Sequence, residues 1–376
     1  KRMPPSLDDK VIVSWNGMML SALSEASVIF GRNERVAWGV TNNICAQRDL
    51  YQEKEDPNRP GYFLYDNQWE PAKKISERIN VKGGKAVVKE IVITRNGPLV
   101  DEILPEVARD TGPVSFRWMG HQKCDEITSM LDANRADTAA EFREALRTWV
   151  VPTWSYGFAD IDGHIGYQSV GSIPIKENWD RGYRPGWDPA HQWKESIPFD
   201  AMPKMEDPAQ GWVRSANNRT APEDFPYPLS GVWSSGHRAL RIRQMIEQRD
   251  SLSRKDMATM QSDSLSLRAA NSVPGLIRIL EGVNNEKVKK AVRYLRDWDC
   301  KMEIDRVGAA IFENFFHNWG LEVASERFQE TIDLFVAVLP CWVILIHFFF
   351  VEDCLGLCCY SRRAYLFFEH QPQTCR

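Results

Sequence analysis

The chain contains 376 residues, of which 43% are hydrophobic and 26% carry a charge. These fractions are near the averages of globular proteins, so a collagen-like, coiled-coil or wholly disordered chain is excluded. Lys and Arg number 47 against 51 Asp and Glu, for a net charge of −4. Because no strong positive field is present, we expect no nucleic-acid partner.

The N-terminal residues do not have the pattern of an export signal. Residues 1–26 lack the basic start, the apolar run and the small-residue cleavage site of a secretory signal. We therefore predict no signal peptide within this sequence.

Two segments in the first half of the chain have β-strand patterns. Residues 86–94 (AVVKEIVIT) are rich in β-branched side chains and follow a Gly-Gly pair, which predicts a strand that is buried mainly in its second half. Residues 156–167 (YGFADIDGHIGY) contain Asp162 and Gly163, which we expect to take the two positive-φ positions of a tight turn. That segment is therefore predicted to be a hairpin.

A helix is predicted to begin after Thr138. Thr138 and Glu141 have the spacing of a capping box, in which the hydroxyl and the carboxylate bond each other's free backbone N–H groups. Phe142, Leu146 and either Trp149 or Val150 then recur on one face.

Two further segments, residues 235–249 and 253–280, have the periodicity of helices. Met257, Met260 and Leu267 lie on one stripe of the second segment. We assign this stripe to a hydrophobic core rather than to a cofactor contact.

The composition changes near the end of the chain. Residues 334–351 contain only Pro340 and His347 as non-apolar positions, and a run of this length just spans a bilayer. We favour the alternatives, a buried helix or sequence foreign to the preceding fold, over membrane contact. The five cysteines of the last 36 residues lack the paired spacing of a zinc site, so free or oxidised thiols are expected. We predict that residues 331–376 form a separate hydrophobic, Cys-rich tail.

Several catalytic motifs are missing from the sequence. It contains no G-x-x-x-x-G-K-[ST], no G-x-G-x-x-G after a strand, no H-E-x-x-H and no G-x-S-x-G. Kinase, dinucleotide, zinc-protease and serine-elbow functions are therefore disfavoured.

Two polar groups are candidates for chemistry. Residues 215–219 (SANNR) place two carboxamides and a guanidinium after residues 211–214, which we predict to be the end of a strand. A carboxamide N–H can donate to a developing oxyanion without a change of protonation state. The alternative, favoured by spacing alone, is a turn-forming Asn pair. The second candidate is Arg238, at the start of a predicted helix. The alternative interpretation is that it lies on a solvated basic face of that helix.

Eight stretches carry a family resemblance: IFGRNERVAWGVTN (29–42), DLY (49–51), ERINVKGG (77–84), TRNGPLV (94–100), FADIDGHIGY (158–167), SIPFD (196–200), SANNR (215–219) and GHRALRI (236–242). In this order, over residues 28–328, they resemble the β chain of the penicillin acylase family, which hydrolyses linear amides. The resemblance implies an α+β fold, the four-layer αββα sandwich of N-terminal-nucleophile hydrolases, here incomplete and with a mainly helical C-terminal part. It makes residues 28–330 one domain.

The resemblance also implies a mechanism. An N-terminal Ser, freed by self-cleavage of a precursor, attacks the amide carbonyl, and its own α-amino group takes the proton. By the resemblance, the backbone N–H of Asn42 and the side chain of Asn217 hold the oxyanion, and Arg238 helps to order the site. The implied partners are a small-molecule amide substrate and a separate or cleaved α chain. The implied location is extracytoplasmic or periplasmic.

This sequence departs from the family pattern at the nucleophile. No match to the serine and the sequence that follows it precedes residue 29, so we expect the chain as written to be inactive. Residues 7–19 (LDDKVIVSWNGMM) instead resemble the proteins that join a thioredoxin domain to a helical toroid similar to sugar epimerases. We therefore predict that residues 1–27 are a foreign N-terminal segment.

The family's calcium site is altered as well. Asp49 matches one of its ligands, whereas Ala46 takes the place of the second carboxylate and Arg48 lies between them. The resemblance leaves Ca²⁺ open as a cofactor, but we expect a degraded site with Asp49 as the one matched ligand. Asn96 also replaces the usual His, and Ser155 the usual Asn, in two of the matching stretches.

Two functions stay open. The first is hydrolysis of an acyl group from an amine, as in a penicillin, a cephalosporin or an acyl-homoserine lactone. The second is a non-catalytic relic or composite gene product whose tail contacts a membrane through residues 334–351.

Overall fold

The structure, a computed structural model, describes residues 31–104, 111–177 and 182–328. It divides into two compact units, Lys1–Gly231 and Val232–Arg376. The domain boundaries predicted after residues 27 and 330 lie outside the described residues and stay predictions.

The strands that the structure describes are numbered in chain order: β1 Gly31–Arg32, β2 Val36–Asn42, β3 Arg48–Gln52, β4 Tyr62–Tyr65, β5 Gln68–Pro71, β6 Lys73–Ile79, β7 Val87–Thr94, β8 Gly97–Pro98, β9 Val114–Trp118, β10 Trp154–Asp160, β11 Ile165–Val170, β12 Pro174–Lys176, β13 Arg184–Pro185, β14 Trp193–Ser196 and β15 Lys204–Glu206. The α-helices of the described ranges are α1 Glu126–Arg135, α2 Ala139–Ala145, α3 His237–Glu247, α4 Arg254–Gln261, α5 Leu267–Leu280, α6 Glu286–Arg296 and α7 Val307–Phe328.

The main sheet of the first unit has the antiparallel order β1-β2-β10-β11-β15. Alternate side chains of β2 and β10 point to one face, and this face carries Val36, Trp38, Tyr156 and Phe158. These four side chains are buried in one cluster with Phe142 of α2. Sheet and helix therefore share one core, above which the carboxyl end of β2 reaches the surface.

The helix predicted after Thr138 is present as α2, with a modified cap. The Thr138 hydroxyl accepts from the Glu141 N–H at 3.1 Å, as predicted, but the Glu141 carboxylate accepts from the Asp137 N–H at 2.8 Å rather than from Thr138. The capping box is therefore only half correct, because the carboxylate reaches one residue further back. Phe142, Leu146 and Trp149 are buried, but only Phe142 lies within α2, because a short 3₁₀ helix begins at Leu146 and ends before Trp149.

The hairpin predicted within residues 156–167 is confirmed as β10–β11, but its turn is different. Only Gly163 has a positive φ, of 97°, whereas Asp162 does not. The Gly163 N–H bonds the Asp160 carbonyl at 3.3 Å, and the Asp160 N–H bonds the His164 carbonyl at 2.9 Å. This is a longer turn with a single left-handed glycine, which also suits the strand twist.

The two other strand predictions differ in outcome. The predicted strand at residues 86–94 is confirmed as β7, which pairs with β6 and β8 and is better buried in its second half. The predicted strand end at residues 211–214 is wrong, because this stretch is irregular backbone. Gly211 takes a φ of 74° and closes a turn on the Pro208 carbonyl, so the chain cannot stay extended there.

The described residues of the second unit are mainly helical, as expected. Its core gathers Ala269, Leu276, Leu295, Trp298 and Phe312 from the last three helices and the loop before α7. Residues 235–249 correspond to α3.

The segment at residues 253–280 forms two helices, α4 and α5, rather than one. The Ser266 hydroxyl caps α5 by accepting from the Ala269 N–H at 3.2 Å, so a new helix begins there. The assignment of the methionine stripe to the core is wrong for Met257, which is 50% exposed. The stripe ends with the short helix α4 and does not continue into the core of α5.

No helix within the described ranges is long and apolar enough to cross a membrane. The apolar run at residues 334–351 and the Cys-rich tail lie outside those ranges, so both expectations about them stay predictions.

Candidate active site

The carboxyl end of β2 presents the backbone of Asn42 at an open strand edge. Asn42 lies opposite Trp154 in the β2–β10 ladder, and the next residue, Asn43, donates its N–H to the Thr153 carbonyl at 3.1 Å. In an antiparallel ladder, hydrogen-bonded and non-hydrogen-bonded pairs alternate. Asn42 therefore belongs to a non-hydrogen-bonded pair, and both its N–H and its C=O point away from β10.

Asn217 reaches that same edge. Its Nδ2 donates to the Asn42 carbonyl oxygen at 2.9 Å, across 175 positions of sequence. The amino group of a carboxamide carries two N–H bonds, and this contact uses one of them to orient the group. The structure thus brings together the two predicted oxyanion donors, Asn42 and Asn217.

The loop that carries Asn217 is held by its neighbours. Ser215 Oγ lies 2.5 Å from Thr41 Oγ1, which ties the loop to β2. Asn218 Oδ1 accepts from the Ala216 N–H at 3.2 Å and makes the local turn. The two asparagines therefore divide the roles that the sequence left open: Asn218 forms the turn, and Asn217 contacts β2.

The backbone of Asn217 has a left-handed conformation, with a φ of 60°. Asn is one of the few non-glycine residues that adopt this region readily. With this backbone conformation, the Asn217 side chain bonds the Asn42 carbonyl. An asparagine thus suits both the positive φ and the hydrogen bond.

Two residues that the sequence analysis did not assign support the end of β2. Trp154 Nε1 donates to Asn42 Oδ1 at 3.0 Å, and the Trp154 ring packs on Trp149 with centroids 4.9 Å apart. The fully buried Asn43 donates from Nδ2 to Ser169 Oγ at 2.5 Å. Neither role has a signal in the sequence, because both depend on strand register.

This arrangement can stabilise negative charge on an oxygen. A backbone N–H and a carboxamide N–H are neutral donors whose direction is fixed before a reaction begins, and such donors favour a tetrahedral oxyanion over the planar carbonyl that precedes it. The N–H groups of Asn42 and Asn217 lie at one strand edge, and their role as oxyanion donors stays a prediction.

Arg238 belongs to the second unit, where it is the second residue of α3, as the predicted helix start required. Its Nη2 donates to Ser234 Oγ at 3.2 Å. It lines a cavity of about 620 Å³ with Arg241 and Arg268. Its assignment to the catalytic site stays a prediction.

Asp49, the residue that the resemblance assigned to a metal, lies on β3 among cationic side chains. Its Oδ2 accepts from Trp193 Nε1 at 2.5 Å and is 2.9 Å from Lys176 Nζ. Within the described ranges, no group of three or more His, Cys, Asp or Glu side chains is placed to hold a metal ion. The donor set around Asp49 therefore does not fit Ca²⁺.

Comparisons with known proteins add family information to this geometry. A model of the penicillin amidase family matches residues 16–356, a range that extends past both predicted domain boundaries. Acyl-homoserine lactone acylase QuiP of Pseudomonas aeruginosa is 29% identical over 314 residues, which are 77% of this chain and 37% of that protein. Penicillin acylase 2 proenzyme of Pseudomonas sp. (strain SE83) is 30% identical over 294 residues, or 76% and 36% of the two chains.

Among solved structures, a thermostable penicillin G acylase from Alcaligenes faecalis matches with a TM-score of 0.64 and 23% identity, covering 85% of this chain and 57% of that one. This likeness supports the mixed α and β fold of N-terminal-nucleophile hydrolases. The chain spans just over a third of the length of the curated relatives named above. Because the family match covers most of the sequence, the chain belongs to the penicillin amidase family.

Proposed function

We propose that this chain supplies the oxyanion-binding part of an amide hydrolase that removes an acyl group from an amine. The bond from Asn217 Nδ2 to the Asn42 carbonyl carries the proposal, because it fixes a carboxamide donor at the edge to which the Asn42 N–H points. In the reaction, the two N–H groups stabilise the tetrahedral oxyanion. From the family resemblance, we also propose Arg238 as a positioning residue.

The substrate class follows from the relatives. Those named above are penicillin acylases and acyl-homoserine lactone acylases, and both substrates carry an acyl chain on an amide nitrogen. We propose a small-molecule linear amide of this kind.

The proposed reaction also needs a nucleophile and a base. Family membership points to an N-terminal Ser whose α-amino group takes the proton from its own hydroxyl as the hydroxyl attacks the carbonyl carbon. The amine then leaves with a proton, and water releases the acyl group from the serine. We propose that this serine and an α chain belong to the working enzyme.

The finer fold and the location are part of the same proposal. The five-stranded antiparallel sheet, with α1 and α2 on one face, is compatible with half of a four-layer αββα sandwich. An extracytoplasmic or periplasmic location is proposed from the family alone.

The experiment is a chimera in which residues 28–376 replace the matching part of the penicillin acylase 2 proenzyme of Pseudomonas sp. (strain SE83). Chromogenic phenylacetyl and fatty-acyl anilides are the substrates, and the unmodified chain is assayed beside the chimera. We expect the chimera to release the chromophore and Asn217→Ala to abolish most of the release. A folded chimera without turnover would favour the non-catalytic relic.

A further inference from the structure

A group of buried charged side chains surrounds Asp49 in the first unit. Lys176 is 4% and Arg184 is 1% exposed, and the Asp49 side chain is 13% exposed. Lys176 Nζ lies 2.9 Å and Arg184 Nε 3.9 Å from Asp49 Oδ2. One carboxylate thus faces two cations of the chain itself.

Strand pairing holds each member of the group. Lys176 ends β12 opposite Trp193 of β14, and its ammonium lies 5.3 Å from the centre of the Trp193 ring. Arg184 of β13 is the parallel partner of Tyr51, two residues beyond Asp49 on β3. Arg184 Nε also donates to the His191 carbonyl at 2.8 Å. The cations are therefore built into the strand arrangement and are not loose surface side chains.

A divalent ion at Asp49 would meet unfavourable neighbours. Ca²⁺ needs six to eight oxygen ligands, whereas the described contacts of Asp49 Oδ2 are with nitrogen donors, Trp193 Nε1 among them. Two buried positive charges within 4 Å of that oxygen would also repel the ion strongly at low dielectric. Position 46, which the resemblance matched to a second carboxylate ligand, is an alanine and offers no side-chain oxygen.

We propose that the Lys176 ammonium takes the place of a divalent cation beside Asp49, so that the folded chain needs no Ca²⁺. The fold itself places the single positive charge of the ammonium beside the carboxylate. Trp193 contacts both groups: its ring faces the ammonium, and its N–H donates to the carboxylate. This inference does not depend on the catalytic proposal, since it concerns folding alone.

The first test is the thermal unfolding of the full chain in EDTA and in a millimolar excess of CaCl₂. A ligand present at a hundredfold excess over its dissociation constant would raise Tm by about 5 °C or more in a protein of this size. We expect the Tm values in EDTA and in CaCl₂ to agree within about 1 °C, well below the rise that Ca²⁺ binding would cause. A Ca²⁺-dependent rise of the larger size would overturn the proposal.

The second test removes the ammonium by Lys176→Met. Removing the nearer of the two cations that face the Asp49 carboxylate should lower Tm by about 6 °C or more. Lys204→Met is the matched control, because Lys204 pairs with Glu206 at 3.1 Å in an exposed position; we expect its Tm to change by less than about 2 °C.

The double variant Asp49→Asn/Lys176→Met covers the case in which Lys176→Met does not fold. The double variant also removes the negative charge of Asp49. It is expected to melt above the single variant, or to fold where the single variant does not. A Lys176→Met variant that melts like the Lys204→Met control would overturn the proposal.

Discussion

At the scale of single residues, Asn217 combines an uncommon backbone conformation with a polar contact. Its φ of 60° and its hydrogen bond to the Asn42 carbonyl make separate contributions to the free energy of folding. The left-handed conformation costs most residues about 1–2 kcal/mol, and Gly pays none of this cost. Substitutions at this position can therefore separate backbone strain from the loss of the side chain.

We predict that Asn217→Ala lowers the free energy of unfolding by about 1 kcal/mol more than Asn217→Gly does. Both variants lose the bond to Asn42, but only Ala retains a Cβ that disfavours a positive φ. Urea denaturation of the two variants measures the difference. Equal stabilities would show that the conformation of residue 217 carries no strain.

His164 and Asp207 form an exposed pair whose protonation is coupled. His164 Nδ1 lies 2.8 Å from Asp207 Oδ2. The hydrogen bond to Asp207, followed by the charges of Asp207 and Asp160, raises the pKa of His164. The hydrogen bond to His164 holds the pKa of Asp207 below its usual range.

The signs of these two shifts define a pH window. The contribution of His164 is present below its ordinary pKa and is lost as pH rises through the raised pKa; that of Asp207 is lost as pH falls through its lowered pKa. We expect an NMR titration to give His164 a pKa above the ordinary value, and Asp207→Asn to lower it. A His164 titration that Asp207→Asn leaves unchanged would contradict the pairing.

At the scale of elements, the start of α7 packs tightly against Trp298. A Cβ built on Gly308 would lie 2.5 Å from Trp298 Cγ and 2.6 Å from Trp298 Cβ. The indole cannot swing away easily, because it is buried and Nε1 donates to the Lys301 carbonyl at 2.8 Å. The close approach therefore requires glycine at position 308.

We predict that Gly308→Ala lowers the free energy of unfolding by about 1–3 kcal/mol, because overpacking outweighs the better helix propensity of alanine. Gly275→Ala in α5 is the matched control. The nearest atom to its added methyl is Arg278 Nη2 at 4.0 Å, so propensity should dominate and stabilise by about 0.5–1 kcal/mol. Two variants that shift denaturation midpoints in the same direction would refute the packing argument.

Local signals in the sequence predicted the elements well where neighbouring residues decide the structure. The hairpin around Gly163 and the helix after Thr138 are both present, because turn chemistry and side-chain caps act over a few positions. The exact turn and the second half of the cap differ, since these depend on where Asp137 and Asp160 place their backbone groups. The exposure of Met257 is not visible in the local pattern, because none of the residues of α4 is buried in the folded chain.

Contacts between distant segments were predictable only in part. The pair Asn42 and Asn217 was assigned through the family resemblance, while its mutual hydrogen bond spans 175 positions and follows from sheet register. The ion pair of Asp49 with Lys176 also joins segments that are far apart in the sequence, and it had no signal in the sequence. Burial and register decide such pairs, and neither is visible in a local pattern.

For the molecule as a whole, the chain belongs to a known family but is much shorter than its curated relatives. The family match runs through most of the chain, yet the chain spans just over a third of its curated relatives. The described residues place Asn42 and Asn217 in one compact unit and Arg238 in the other.

The most direct test of the account is the kcat/KM of the chimera toward a chromogenic phenylacetyl anilide, with and without Asn217→Ala. Loss of one oxyanion donor should lower kcat by about 10²–10³-fold. Asn314→Ala is the control, because Asn314 is exposed on α7 and the one described hydrogen bond of its side chain goes to the Ala310 carbonyl in the same helix. We predict the large loss for Asn217→Ala and an unchanged rate for Asn314→Ala; equal rates for both variants would contradict the assignment of Asn217 as an oxyanion donor.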